Sequence, residues 1–210
     1  MRLVVGRKIT PFDRAALDER AAGYERVLVD VGTGVGNALL RRARREPKTF
    51  FIGIDPAAAN LREASDRAHR QPHRGGVPNL VFLVGAAHDL PGELAGIADE
   101  VTVVLPWGSL LQLVLLADEQ FISRLGGLMK PDARLEMLVS VAESDVGAGK
   151  INFDEERARA LAIEYERHGL KLERLQLAEE SDVDRLGSSW GRRLAIPRRR
   201  QAWILAFRRK

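Results

Sequence analysis

The stretch Val27-Leu28-Val29-Asp30-Val31-Gly32-Thr33-Gly34-Val35-Gly36 decides how this chain reads. Its first half is a β-branched apolar run of the kind that forms a buried strand, and the run closes on an acid. Its second half places glycine at every second position before a helical pattern begins. A glycine turn between a buried strand and a helix lets backbone N–H groups approach a ligand without interference from Cβ, which makes the stretch a cofactor cradle. The spacing departs from the G-x-G-x-x-G of dinucleotide folds. Nucleotide or nicotinamide-dinucleotide binding, and an ordinary strand-to-helix turn without a ligand, are the competing readings of the same glycines.

Working outward, a second apolar run, Phe50-Phe51-Ile52-Gly53-Ile54, ends on Asp55. A strand over 26–31, a helix over 36–46 stopped by Pro47, a strand over 50–54 and a helix over 57–70 alternate as βαβα. That order predicts a parallel sheet with right-handed crossovers. The pattern Asp30-x-Gly32-x-Gly34-x-Gly36 resembles the first motif of the S-adenosylmethionine-dependent methyltransferases. The resemblance implies a turn that passes the amino-acid part of the cofactor and a second acid, Asp55, on the ribose hydroxyls. A carboxylate there accepts two hydroxyl protons, which is why the position is acidic.

At 210 residues the chain matches one large α/β domain and closes a core without staples. Cysteine is absent, and His69, His73, His88 and His168 show no paired ligand spacing, so disulfides and thiolate metal sites are excluded and no metal is expected. No apolar run approaches the roughly 20 residues needed to span a bilayer, and the first residues are too short for a signal sequence. The expectation is a cytoplasmic protein with no membrane partner. Net charge is only +4, but nine of the Arg and Lys residues fall between Arg185 and Lys210, with no acid among them. Trp190, Trp203, Ile204, Leu205 and Phe207 share that segment, so its arginines sit on a folded scaffold and point to a polyanion partner.

Along the chain, residues 3–9 read as a hairpin around Gly6 appended to the main sheet, followed by a helix capped by Thr10 or Asp13, with Pro11 near its start. The loop 71–78 follows the 57–70 helix and, with Arg67, Arg70 and Arg74, makes a basic cluster expected beside the cofactor pocket. A third strand, 80–84, leads into the small residues Gly85, Ala86 and Ala87, then His88. A fourth, 100–105, runs into Pro106-Trp107-Gly108-Ser109, over the crevice where doubly wound sheets bind ligands. A helical pair near 109–126, a strand at 133–139, a helix at 154–168, a strand at 170–176, a short helix near 181–185, a loop at 187–200 and a last strand at 201–208 complete seven strands besides the hairpin.

Taken together, these motifs resemble the aminoglycoside-resistance 16S rRNA methyltransferases that act on N1 of adenine-1408 in the decoding site. The resemblance runs nearly end to end. It rests on Met1-Arg2-x-Val4-Val5-Gly6, the glycine motif, Gly75-Gly76-x-Pro78-Asn79-Leu80, Pro106-Trp107-Gly108-Ser109-Leu110-Leu111, and Ser189-Trp190 with Arg192-Arg193-Leu194 behind it. The resemblance implies one domain over 1–210, a seven-stranded Rossmann-like class I methyltransferase fold with an N-terminal hairpin over 1–10, and a mobile target-binding loop at 187–200. It implies S-adenosylmethionine held by Asp30, Gly32, Thr33, Gly34, Gly36, Asp55, Pro56, Ala86, Ala87, His88, Leu105 and Ser109. Trp107 and Trp190 would sandwich the flipped adenine with Ser188 helping to hold Trp190 or the base. Arg193 and Arg198, with Arg199 and Arg200, would grip 16S rRNA within the 30S subunit, alongside Arg67, Arg70 and Arg74; the enzyme would act as a monomer.

The implied chemistry is self-consistent. N1 of neutral adenine already carries a lone pair, so extrusion, stacking and alignment supply most of the catalysis without a general base. The chain departs from the family pattern at Val35, where an acid usually stands, and at His88, where Glu is usual. Both lie in the cofactor pocket, so modest cofactor affinity is expected. Trp203 reads as a core residue of the last strand. The alternatives are a methyltransferase of another RNA or of a small molecule, and a ribosome-binding homologue with weak activity.

Overall fold

The computed structural model describes residues 1–141, 153–187, 196 and 200–210. Among the described residues, nine strands form one continuous sheet. They are β1 (Arg2–Val5), β2 (Lys8–Pro11), β3 (Arg26–Val31), β4 (Thr49–Asp55), β5 (Leu80–Val84), β6 (Ala98–Val104), β7 (Met129–Val139), β8 (Leu170–Leu177) and β9 (Trp203–Arg209). Their order is β2-β1-β5-β4-β3-β6-β7-β9-β8. The count of nine joins the expected seven to the hairpin, because β1 pairs antiparallel with β5 and prolongs the sheet at that edge. The middle five strands are parallel, whereas β9 runs antiparallel between β7 and β8.

The helices are α1 (Arg14–Ala21), α2 (Asn37–Arg45), α3 (Ala58–Ala68), α4 (Gly108–Leu115), α5 (Glu119–Leu128), α6 (Glu155–Arg167) and α7 (Glu180–Arg185). Alternation along β3 sends Val27, Val29 and Val31 to one face, where α1, α4, α5 and α6 pack, and Leu28 to the other, under α2 and α3. A smaller apolar cluster on the second face joins Leu105, Leu138, Val183, Leu186, Ile196 and Ile204 beneath α7. Pro11 belongs to β2, where an edge strand tolerates a residue without N–H, and Asp13 caps α1 by accepting from Ala16 N at 2.8 Å. Trp203 is a core residue: it is buried in β9 and its Nε1–H donates to Phe153 O at 3.1 Å. Among the described residues no helix is long and apolar enough to cross a membrane, and no cluster of His, Cys, Asp and Glu is arranged to hold a metal ion.

Candidate functional site

The site grows from the reversal of strand order at β3, which pairs with β4 on one side and with β6 on the other. In an open α/β sheet the carboxyl ends of such strands enclose a ligand crevice. Asp30 stands there, opposite Thr102 in the β3–β6 register, and Thr102 Oγ1 donates to its Oδ1 at 2.6 Å. Burial pushes the Asp30 carboxyl up from its ordinary range, and the Thr102 hydroxyl opposes that rise. The Thr33 hydroxyl offsets a further part, but it falls short of hydrogen-bond geometry, so its buried Oγ1 is left without a partner. Asp55 closes β4. Its Oδ2 accepts from Gly34 N and its Oδ1 from Ala57 N, both at 2.9 Å, and burial pushes it up while these two N–H groups oppose.

The glycine turn is tied to the end of β4, with Gly32 N and Thr33 N both donating to Ile54 O at 2.8 and 3.0 Å. Its glycines serve different ends. A Cβ on Gly36 would meet the Phe82 ring at 2.6 Å, so that position brings α2 onto the sheet. A Cβ on Gly34 would meet nothing within 4 Å, so that position fronts open space. Val35 beside it is 53% exposed.

Two further walls come from the loops after β5 and β6. Pro56, Ala86 and His88 line a cleft of about 420 Å³ together with Arg2, Val84 and the residues from Asp89 to Glu93. Arg14 steadies the far side of that loop by donating to Glu93 O and Ala95 O at 3.0 and 2.8 Å. After β6, Leu105 adopts φ +50°, a conformation that costs a non-glycine residue about 1–2 kcal/mol. Its N–H is held by Leu138 O at 2.8 Å and its side chain is sunk in the cluster under α7. The left-handed turn swings the chain off the strand, and Trp107, the cap residue of α4, is 76% exposed. A tryptophan left this open on a buried, hydrogen-bonded turn is not part of the core, and its ring faces are free for a stacking contact.

These residues fit S-adenosylmethionine. Each Asp55 oxygen carries one backbone hydrogen bond and keeps lone-pair capacity for a ribose hydroxyl. Asp30 is a buried carboxylate suited to a cationic ligand group, Gly34 leaves room for close approach, and the Thr33 hydroxyl awaits a partner.

Comparison with known proteins agrees. The family model of the NpmA 16S rRNA (adenine(1408)-N(1))-methyltransferases matches residues 2–208. The chain belongs to this family. It is 31% identical to the 16S rRNA (adenine(1408)-N(1))-methyltransferase of Escherichia coli, over 95% of this chain and 94% of that protein. The crystal structure of the 16S rRNA methyltransferase KamB superposes with a TM-score of 0.89 at 30% identity, covering 100% of both chains. A single-substitution variant of the 16S rRNA (adenine(1408)-N(1))-methyltransferase from Catenulisporales acidiphilia, solved with cosubstrate SAM, gives 0.88 at 30%, covering 100% of this chain and 96% of that one. The sheet is accordingly that of a class I S-adenosylmethionine-dependent methyltransferase.

Within this NpmA-family methyltransferase, Asp30, Gly32, Thr33, Gly34, Gly36 and Asp55 gather at one point, with Pro56, Ala86 and His88 on the adjoining cleft. Ala87 is half-buried in the same turn, and Ser109 is exposed in the first turn of α4. Leu105 has its side chain buried in the cluster under α7 and its N–H bonded to Leu138 O. The basic cluster is placed differently from expectation. α3 starts beside Asp55 and runs back along the sheet, so Arg70 and Arg74 lie at the amino ends of the strands, where Val77 N bonds Ala68 O and Arg44 bonds Gly75 O. Arg67 reaches Asn37 Oδ1 at 3.1 Å, and Arg70 pairs with Asp66. Arg200 is half-buried and donates through Nε to Ser140 Oγ at 2.7 Å. Ser188, Trp190, Arg193, Arg198 and Arg199 lie outside the described residues, as does most of 187–200. Sequence reasoning missed Thr102, whose signal was a lone hydroxyl inside Val101-Thr102-Val103-Val104, and Leu110, whose side chain closes over Gly32.

Proposed function

We propose that this chain transfers a methyl group from S-adenosylmethionine to N1 of adenine-1408 of 16S rRNA in the 30S subunit, and thereby confers aminoglycoside resistance. The observation that carries the reading is Trp107: 76% exposed, yet set on a buried turn that ends the strand paired with the Asp30 strand. When bound, the cofactor supplies an electrophilic methyl group. The protein's own residues do the rest. Asp55, braced by the N–H groups of Gly34 and Ala57, holds and orients the ribose side, and Asp30 faces the methionyl side. Trp107 offers one π-face to an extruded base, a contact worth about 1–3 kcal/mol against the cost of unstacking. By family resemblance Trp190 supplies the second face with Ser188 beside it, and Arg193, Arg198 and Arg199 hold rRNA phosphates. Arg67 and Arg200 extend the basic surface, while Arg70 and Arg74 carry their charge at the amino ends of the strands, away from the cradle.

We read the chain as one methyltransferase domain, with residues 1–10 an added hairpin and 187–200 the target-binding segment. It works as a monomer in the cytoplasm, where assembled subunits are found. The test is primer extension on 30S subunits incubated with protein and S-adenosylmethionine. A cofactor-dependent stop at adenine-1408 is expected. A stop elsewhere would move the target, and no stop alongside retained 30S binding would leave a binding homologue.

A further inference from the structure

A buried polar row crosses the sheet beside the cofactor cradle, on the face covered by α2 and α7. Asp30 on β3, Thr102 on β6 and Glu136 on β7 are successive register partners on the same face. Glu136 is fully buried, and both of its oxygens are engaged at 2.7 Å by the two terminal nitrogens of Arg185, the last residue of α7. Arg185 is shared with Asp182, which Arg174 of β8 also holds at 3.1 Å. With the Glu136 carboxylate satisfied by this bidentate pair, the single Thr102 hydroxyl proton is committed to Asp30, and the 2.6 Å contact is short, as bonds to a charged acceptor are.

The groups facing Asp30 from other elements leave it in need of that proton. Arg42 of α2 is a cation that acts on it, but its guanidinium is occupied by Glu46 at 3.1 Å and Glu100 at 3.7 Å. Asp55 of β4 acts against its charge, and Thr33 of the glycine turn gives weak support. We propose that Thr102 is a positioning residue for cofactor capture, its hydroxyl holding the Asp30 carboxylate charged and aimed at the cationic methionyl end of S-adenosylmethionine. The proposal rests on the cofactor reading given above. Glu136 and Arg185 contribute by fixing where the Thr102 proton goes.

Titration calorimetry with S-adenosylmethionine between about pH 5 and pH 8 tests it, because capture of a cation requires the Asp30 anion. Thr102→Val keeps the shape and removes the donor; affinity near neutral pH is expected to fall about tenfold, the scale of a lost hydrogen bond to a charge. Losing the donor raises Asp30 further, so the acidic fall-off in affinity should begin at higher pH than in the wild type. Thr102→Ser should restore both the affinity and the position of that limb, a rescue that packing alone would not produce. A Val variant that matches the wild type in affinity and acid limb would overturn the proposal. So would loss of fold in both Thr102→Val and Thr102→Ala, since the hydroxyl would then be structural. Failure of the wild type to bind S-adenosylmethionine at any pH would instead remove the cofactor reading itself.

Discussion

Gly34 and Gly36 share one motif and one backbone conformation, with φ +60° and +71°, yet the structure assigns them opposite duties. Replacing either by Ala forces a non-glycine residue into the left-handed region at about 1–2 kcal/mol. At Gly34 nothing else is added, because the new Cβ has no neighbour within 4 Å. At Gly36 the Cβ would sit 2.6 and 2.7 Å from Phe82 ring atoms and 3.0 Å from Ala64 Cβ. Phe82 is fully buried and has no free direction to move, so overpacking adds about 1–3 kcal/mol. For a chain of this size each kcal/mol lowers Tm by about 2–4 °C. Gly34→Ala should therefore melt about 2–8 °C below the wild type, and Gly36→Ala about 4–20 °C below. Cofactor binding should rank them the other way, with Gly34→Ala losing at least about tenfold in affinity, or about 1.4 kcal/mol, since its Cβ enters the cradle. Thermal melts with calorimetry on the two folded variants decide the matter. A Gly34 variant that melts as low as the Gly36 variant, or that binds S-adenosylmethionine like the wild type, would refute the division of labour.

Trp107→Ala should leave the stability within about 0.5 kcal/mol of the wild type, because the side chain is mostly solvated, while single-turnover methylation of 30S subunits falls by roughly tenfold or more. Trp107→Phe should retain more activity than Ala, having kept a π-face; equal rates for all three proteins would remove Trp107 from the base site. Arg185→Met strips the bidentate partner from a carboxylate with no solvent exposure and should destabilise the protein toward the low end of about 3–5 kcal/mol, since Arg134 remains 3.5 Å from Glu136. Urea unfolding measures it, and a variant as stable as the wild type would show that Glu136 has a further partner.

What the sequence determined by itself was whatever depends on local periodicity and on motif spacing. The β-branched run ending at Asp30, the apolar run ending at Asp55 and the glycines between fix two adjacent parallel strands and the turn that joins the first to α2. The Pro106-Trp107 step after a buried run placed an aromatic at a strand end, and hydrophobic patterning put Trp203 in the last strand. Tertiary structure decided what depends on which strands become neighbours. Thr102 meets Asp30 across a separation of 72 residues because the sheet order sets β6 beside β3, and Glu136 meets Arg185 across 49 because α7 packs over the face of β7. The position of Arg70 and Arg74 followed from helix direction: a crossover helix that starts at the carboxyl edge must deliver its end to the amino edge, away from the cradle. The strain at Leu105 had no local signature, since a buried leucine takes φ +50° only when its N–H is held by the neighbouring strand and its side chain by the cluster under α7. Periodicity specifies which face a residue takes, whereas partners across a sheet are set by the packing of the whole chain.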